Sequence, residues 1–293
     1  TANQLTGALR GEVLQASHGR RLTMLSTVIA LARGSQPTDQ EEMILDRALR
    51  ILDDHAAANA TGVAGEGAID PARQPVVADL LQVIEDAPED VRLVAFDRGS
   101  RDRYEDVTEQ LRASLMAIAT GGKFGDVFSK TTTAPMVTDR PIAYDLSVYE
   151  ETASSEVQAA VLMACWSAGF SAIADHQVRA EAGLEDRRHY VVVLDELWRA
   201  IGTGSGMVDR INALTRLNRS KGVGQIMVSH TLDDLEALPN EADRRKAYGF
   251  AERAGIKIFG ALPYREMDSI NRVVPLSTAE QSMITSWDDP GGF

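Results

Sequence analysis

Residues 191–196 read Val-Val-Val-Leu-Asp-Glu, and no other stretch narrows the possible folds as much. Together with Tyr190, the β-branched run is typical of a strand buried on both faces, as in parallel sheets with helices on each side. Two adjacent acids close it. On a parallel strand they stand at the carboxyl edge of the sheet, where α/β proteins bind ligands. Such a pair suits one division of labour: one carboxylate holds Mg²⁺ through water, and the other orients an attacking water. On that reading Asp195 takes the metal and Glu196 the water. A strand that merely stops at two solvated acids would have the same letters, so the surrounding segments must decide.

The first third of the chain reads as helical. Thr38 and Glu41 have capping-box spacing, and Met43, Leu45, Ala48, Leu49 and Leu52 follow at helical spacing, which predicts a helix ending near His55. Residues 59–75 form a Gly/Ala/Pro-rich connection. Residues 76–85 and 107–119 are further helix candidates. After about residue 140 the texture changes. Ile142–Leu146 reads as a short strand, 155–174 as a long apolar helix, 190–194 and 225–228 as strands, 207–220 and 241–254 as helices, and 256–260 as a last strand. Alternating strands and helices imply a parallel α/β sheet. The expectation is a helical subdomain over 1–135 and an α/β half-domain over 136–293.

Val157–Ala174 contains no charged residue over eighteen positions, which reaches the lower limit for a membrane span. It is rich in Ala, contains Gln158, Ser167, Gly169 and Ser171, and lacks Lys/Arg anchors at its flanks. This favours a buried helix lying across the sheet and predicts no transmembrane segment. The net charge of −13 argues against a broad nucleic-acid-coating surface, although a local basic groove or pore is compatible with it. Cys165 is the only cysteine, so no internal disulfide can form and a reducing compartment fits best. It sits in the apolar helix as a core residue. His18, His55, His176, His189 and His230 show no metal-ligand spacing, so no zinc site is expected.

The strand at 225–228 ends in Ser229-His230, which should lie beside Asp195 and could sense a phosphate or the attacking water. Between the two strands stand Arg216, Arg219 and Lys221, just before Gly222. The same cations would suit a helix C-terminus. At this point the span 190–235 resembles the FtsK–HerA group of ring-forming motors, and within it the conjugation and type IV secretion ATPases. The matching pieces are Asp195-Glu196-Leu197-Trp198, Arg216/Arg219/Lys221, Ser229-His230 and Asp234-Leu235. Residues 121–128, Ile142–Ser147, and 257–259 through 277–280 extend the likeness more weakly.

The resemblance implies a RecA-like parallel sheet with flanking helices plus an all-α subdomain. It implies ATP and Mg²⁺ as ligands, a homo-hexameric ring, and a place on the cytoplasmic face of the inner membrane beside other secretion-channel subunits, with protein or DNA as cargo. It also implies an arginine finger at Arg219, with Arg216 as the alternative, reaching ATP on a neighbouring subunit. Trp198 would pack the loop after the acids. The family ends its sensor strand in Thr-Gln where this chain has Ser229-His230.

A phosphate loop, GxxxxGK[ST], is absent. Gly122-Lys123 is followed by Phe124, with Ala117 where the first Gly would stand, and residues 202–206 lack the Lys. In the family that loop precedes the helical insertion, so the expectation is that it lies upstream of Thr1 and that this chain is a fragment with little ATPase activity of its own. A non-catalytic interaction module on an ATPase fold is the alternative. An ABC-type ATPase ranks third: Met227–His230 resembles its switch-histidine segment, but residues 180–186 lack its signature.

Overall fold

A computed structural model of the chain describes residues 5, 7–60, 74–132, 140–202, 207–215, 222–230, 232, 238 and 240–287. It is helix-rich, with one small parallel sheet, and the chain falls into two compact units, residues 1–188 and 189–293.

The first unit is helical. Its elements are α1 (Gly7–Arg33), α2 (Asp39–Ala60), α3 (Val77–Asp86), α4 (Glu89–Val94), α5 (Arg101–Ala119), α6 (Gly122–Phe128), α7 (Ser147–Thr152) and α8 (Ser155–Glu181). The expected capping box opens α2. Glu41 N–H donates to Thr38 Oγ1 at 3.2 Å and Thr38 N–H to Glu41 Oε2 at 2.7 Å. Behind it Ile44, Leu45, Ala48, Leu49 and Leu52 are buried, each large side chain contributing roughly 1.5–3 kcal/mol of burial. Met43 points outward, 43% exposed, so Ile44 takes the place the spacing gave to Met43. The helix runs past His55 to Ala60 because Ala56–Ala58 and Ala60 favour continuation.

Several ties fix α1 to α2. Arg33 at the end of α1 grips Glu41 with Nη1 to Oε1 at 2.7 Å and Nη2 to Oε2 at 2.8 Å. His18, 4% exposed, places Nε2 2.7 Å from Asp46 Oδ1 and Nδ1 3.4 Å from Asp53 Oδ2. Arg50 and Arg21 hold the outer sides of those two carboxylates. His18 is thus a buried clamp between helices.

Helix α5 packs against α3 and α6. Tyr104 is 1% exposed, and its hydroxyl donates to the Ile84 carbonyl at 2.6 Å. That carbonyl lies in the last turn of α3, where the helix itself provides no partner. Burial pushes the Tyr104 hydroxyl up to about 12. Tyr104→Phe is expected to cost about 1–3 kcal/mol by orphaning the Ile84 carbonyl. Urea unfolding checks this, and an unchanged midpoint would count against the bond's importance.

The long apolar helix α8 has helical partners. It is long and apolar enough to cross a membrane by length and composition, but it packs along α1 and touches α6 and α7, burying Val157, Ala159, Ala160, Val161, Met163, Trp166, Ile173 and His176. Helix α8 therefore packs inside the helical unit, which by its internal contacts runs to Arg188, whereas the sequence suggested a helical subdomain over 1–135. Cys165 is half-buried in it, and burial raises its thiol pKa, which disfavours the reactive thiolate. Ile142–Leu146 is not a strand. Ile142 and Tyr144 are 41% and 44% exposed, and Asp145 Oδ1 instead accepts the Ser147 N–H at 3.0 Å, turning the chain into α7.

The second unit contains β1 (Tyr190–Leu194), α9 (Leu197–Gly202), α10 (Met207–Thr215), β2 (Val223–Met227), α11 (Glu241–Arg253), a 3₁₀ turn at Tyr264–Glu266, α12 (Met267–Val273) and α13 (Thr278–Thr285). The two strands are parallel and in register, from Tyr190↔Val223 to Leu194↔Met227. Gly222 lets β2 enter beside β1. Its φ of +68° lies in the left-handed region that favours glycine, and a Cβ there would meet the His189 Nδ1 at 2.6 Å unless that side chain moved. Helix α10 is tied to α11 by Lys246–Asp209 at 2.7 Å and Arg253–Asn212 at 3.3 Å. Met267, Ile270 and Ile284 form a separate small core with Phe259, Leu262, Leu276 and Trp287.

Two further expectations differ from the structure. The sheet has two strands among the described residues. Residues 256–260 are not a third: Ile256 and Ile258 are 83% and 84% exposed, and strand propensity without a ladder partner makes no strand. Nor is β1 buried on both faces. Leu194 and Val223 point inward, whereas Val191, Val193 and Ile226 are 71%, 55% and 51% exposed. The wider RecA-like sheet is therefore not present among the described residues.

Candidate functional site

The carboxyl ends of β1 and β2 build the site. The ladder continues one step past the strands, with Val228 N–H donating to the Leu194 carbonyl at 2.9 Å and Leu197 N–H to the Val228 carbonyl at 3.2 Å. This pins the Asp195-Glu196 turn against the exit of β2, so the acids and Ser229-His230 emerge at one edge. Glu196 has a φ of +53°, unusual for a residue with a Cβ and costing on the order of 1–3 kcal/mol. Asp195 supports the turn, its Oδ1 accepting the Glu196 N–H at 3.0 Å.

The Glu196 carboxylate has a neighbour at each oxygen. Oε2 accepts from Arg199 Nε at 2.8 Å, and Oε1 lies 3.1 Å from His230 Nε2. Three-quarters of the Glu196 and Arg199 side chains are covered, whereas His230 is 66% exposed. The Arg199 guanidinium sits 5.3 Å from the Trp198 ring centre, and the Trp198 and His230 rings are 6.0 Å apart, tilted by 55°. Trp198 therefore packs the turn, between Arg199 and His230. Asp195 and Ser229 are exposed at the same edge. No group of three or more His, Cys, Asp or Glu side chains is gathered for direct metal ligation among the described residues.

Of the residues singled out from sequence, the structure thus brings Glu196 and His230 into contact and sets Asp195 and Ser229 beside them. Arg216, Arg219, Lys221, Asp234 and Leu235 lie outside the described residues. Arg199 went unnoticed in the sequence. Its i, i+3 spacing from Glu196 at the start of a helix was the available signal.

No family model matches the chain, and no curated protein matches it by sequence. Among solved structures, it is similar to VirB4 of Thermoanaerobacter pseudethanolicus, with a TM-score of 0.61 and 18% identity over 91% of this chain. The match spans 63% of that VirB4 chain. At this identity the likeness establishes a shared fold.

Proposed function

We propose that this chain carries the acidic half of the active site of a type IV secretion or conjugative-transfer ATPase. The observation that carries the reading is the parallel β1–β2 pair, which ends at one edge in Asp195-Glu196 and Ser229-His230. Fold likeness to VirB4 over nearly the whole chain supports it. In the intact protein these strands would belong to a RecA-like core of the FtsK–HerA kind, and the phosphate loop, which these 293 residues do not contain, would come from a segment beyond them.

In this reading Asp195 holds a Mg²⁺ through water and Glu196 orients the water that attacks the γ-phosphate. Bound with ATP, the metal ion neutralises charge on the phosphates. Ser229 and His230 donate hydrogen bonds on the phosphate side of the edge. Arg219, or Arg216 in its place, reaches ATP on the neighbouring subunit of a homo-hexameric ring. The ring works on the cytoplasmic face of the inner membrane with other channel subunits and moves protein or DNA.

The intact protein is expected to bind and hydrolyse ATP and to stop when EDTA removes Mg²⁺, while residues 1–293 by themselves turn over little. Coupled-enzyme ATPase assays and nucleotide titration test both halves. Robust turnover by residues 1–293 would sink the division of the site. Failure of the intact protein to bind ATP would favour the second reading, a non-catalytic interaction module, which the missing phosphate loop supports.

A further inference from the structure

Four side chains at the sheet edge form a closed circuit. Glu196 meets Arg199, Arg199 lies over Trp198, Trp198 packs against His230, and His230 returns to Glu196. Arg199 lies on α9 and His230 follows β2, so two separate elements meet at one carboxylate, with Arg199 supplying its hydrogen bond. We propose that Arg199 is a positioning residue for Glu196, with Trp198 as its platform, a proposal that rests on Glu196 orienting the attacking water.

Three physical points carry it. First, the Glu196 backbone is held at a φ of +53°, a conformation that persists only where surroundings over-determine it. Here the Asp195 side chain and the Leu197–Val228 bond do so. A strained turn that aims one side chain is wasted if that side chain swings freely, and Arg199 removes the swing. Second, an ionised carboxylate offers about four acceptor sites. Arg199 occupies one, on Oε2, and His230 Nε2 lies 3.1 Å from Oε1, which leaves room for a water. The contacts therefore fix the carboxylate without consuming it. Third, the guanidinium is itself restrained by a cation–π contact with Trp198. Its Nε–H reaches Oε2 from a planar group held against the ring, a geometry a lysine ammonium lacks.

The test uses the full-length protein and ATP turnover with Mg²⁺. Arg199→Ala is expected to lower kcat about tenfold to a hundredfold, the scale of a misplaced reacting group, with KM for ATP unchanged. Arg199→Lys should recover part of that loss. Arg199→Ala placed on Glu196→Gln should add no further loss, because the arginine acts through the glutamate. A purely structural role would instead lower stability and remain additive. If Glu196→Gln is dead while Arg199→Ala keeps normal kcat, the positioning role is overturned and the function reading stands. A rise in kcat on Arg199→Ala would overturn it as well, since the pair would then be restraining Glu196. Near-normal turnover by Glu196→Gln would overturn both. Thermal melting of each variant separates loss of fold from loss of rate, and if Arg199→Ala does not fold, Arg199→Gln applies the same criteria.

Discussion

Glu196→Gln in the intact protein should leave ATP binding near normal and reduce turnover by about 10²–10⁴-fold, the range for loss of a positioned acid–base group. Glutamine preserves the length and planar shape of the side chain and keeps one carbonyl acceptor. It removes the negative charge and places an N–H₂ where the second oxygen stood. A water that must present a lone pair to phosphorus needs an acceptor for its hydrogen, and the amide nitrogen cannot be one. The fold should survive. The Glu196 contacts to Arg199 and His230 lie at a partly open edge, and ion pairs of that kind contribute about 1 kcal/mol or less. The two readouts therefore separate: unchanged melting and nucleotide titration, with a collapse of steady-state rate. Turnover within a few-fold of the parent would remove Glu196 from the water role.

The parts of this molecule legible in its sequence are those set by local chemistry. The run at 190–194 forms a strand with the expected bounds, because five strand-favouring residues in succession and two terminal acids allow little else. Thr38 and Glu41 form their box because the two groups are three residues apart whatever lies around them. What the sequence concealed was non-local. Ile142–Leu146 and residues 256–260 have strand composition, yet a strand exists only where another backbone lies alongside, and no local pattern encodes that. The unbroken apolar run of β1 implied two covered faces, but cover is supplied by other segments, and Val191 and Val193 remain exposed. Helix α8 has the composition of a helix that covers a sheet or spans a bilayer, and its actual partner, α1, lies far away in sequence. At the site, the Asp-Glu pair was readable from its place at a strand end. The circuit through Arg199 and Trp198 was not, because it depends on the turn at Glu196 that folds α9 back over the edge.

The Arg33–Glu41 pair should be the costliest contact in the helical unit to break from one side. Their side chains are 10% and 6% exposed, and the guanidinium also donates to the Ser35 and Gln36 carbonyls at 3.1 and 2.8 Å. Removing the acid leaves a buried cation without its counter-charge, a situation that costs about 3–5 kcal/mol. It also removes the acceptor for the Thr38 N–H. Glu41→Ala is therefore expected to lower stability by about 3–5 kcal/mol, or roughly 6–20 °C in melting temperature for a unit of this size. The pH dependence follows from the same contacts. Burial by itself would raise the Glu41 pKa, but the Arg33 hydrogen bonds, the Thr38 backbone N–H and the Arg33 charge outweigh it and hold the carboxyl below its ordinary 4.5. A carboxyl whose pKa is lower folded than unfolded contributes stability that is fully present above the unfolded value. That contribution is lost as pH falls through the folded one. Wild-type protein should thus lose stability below about pH 4.5 with a proton-linked slope, and Glu41→Gln, less stable at neutral pH, should lose less of its remaining stability over the same interval. Urea unfolding at neutral pH and at successively lower pH measures both. Parallel wild-type and Glu41→Gln curves across the acid range would show that Glu41 is not the group being titrated.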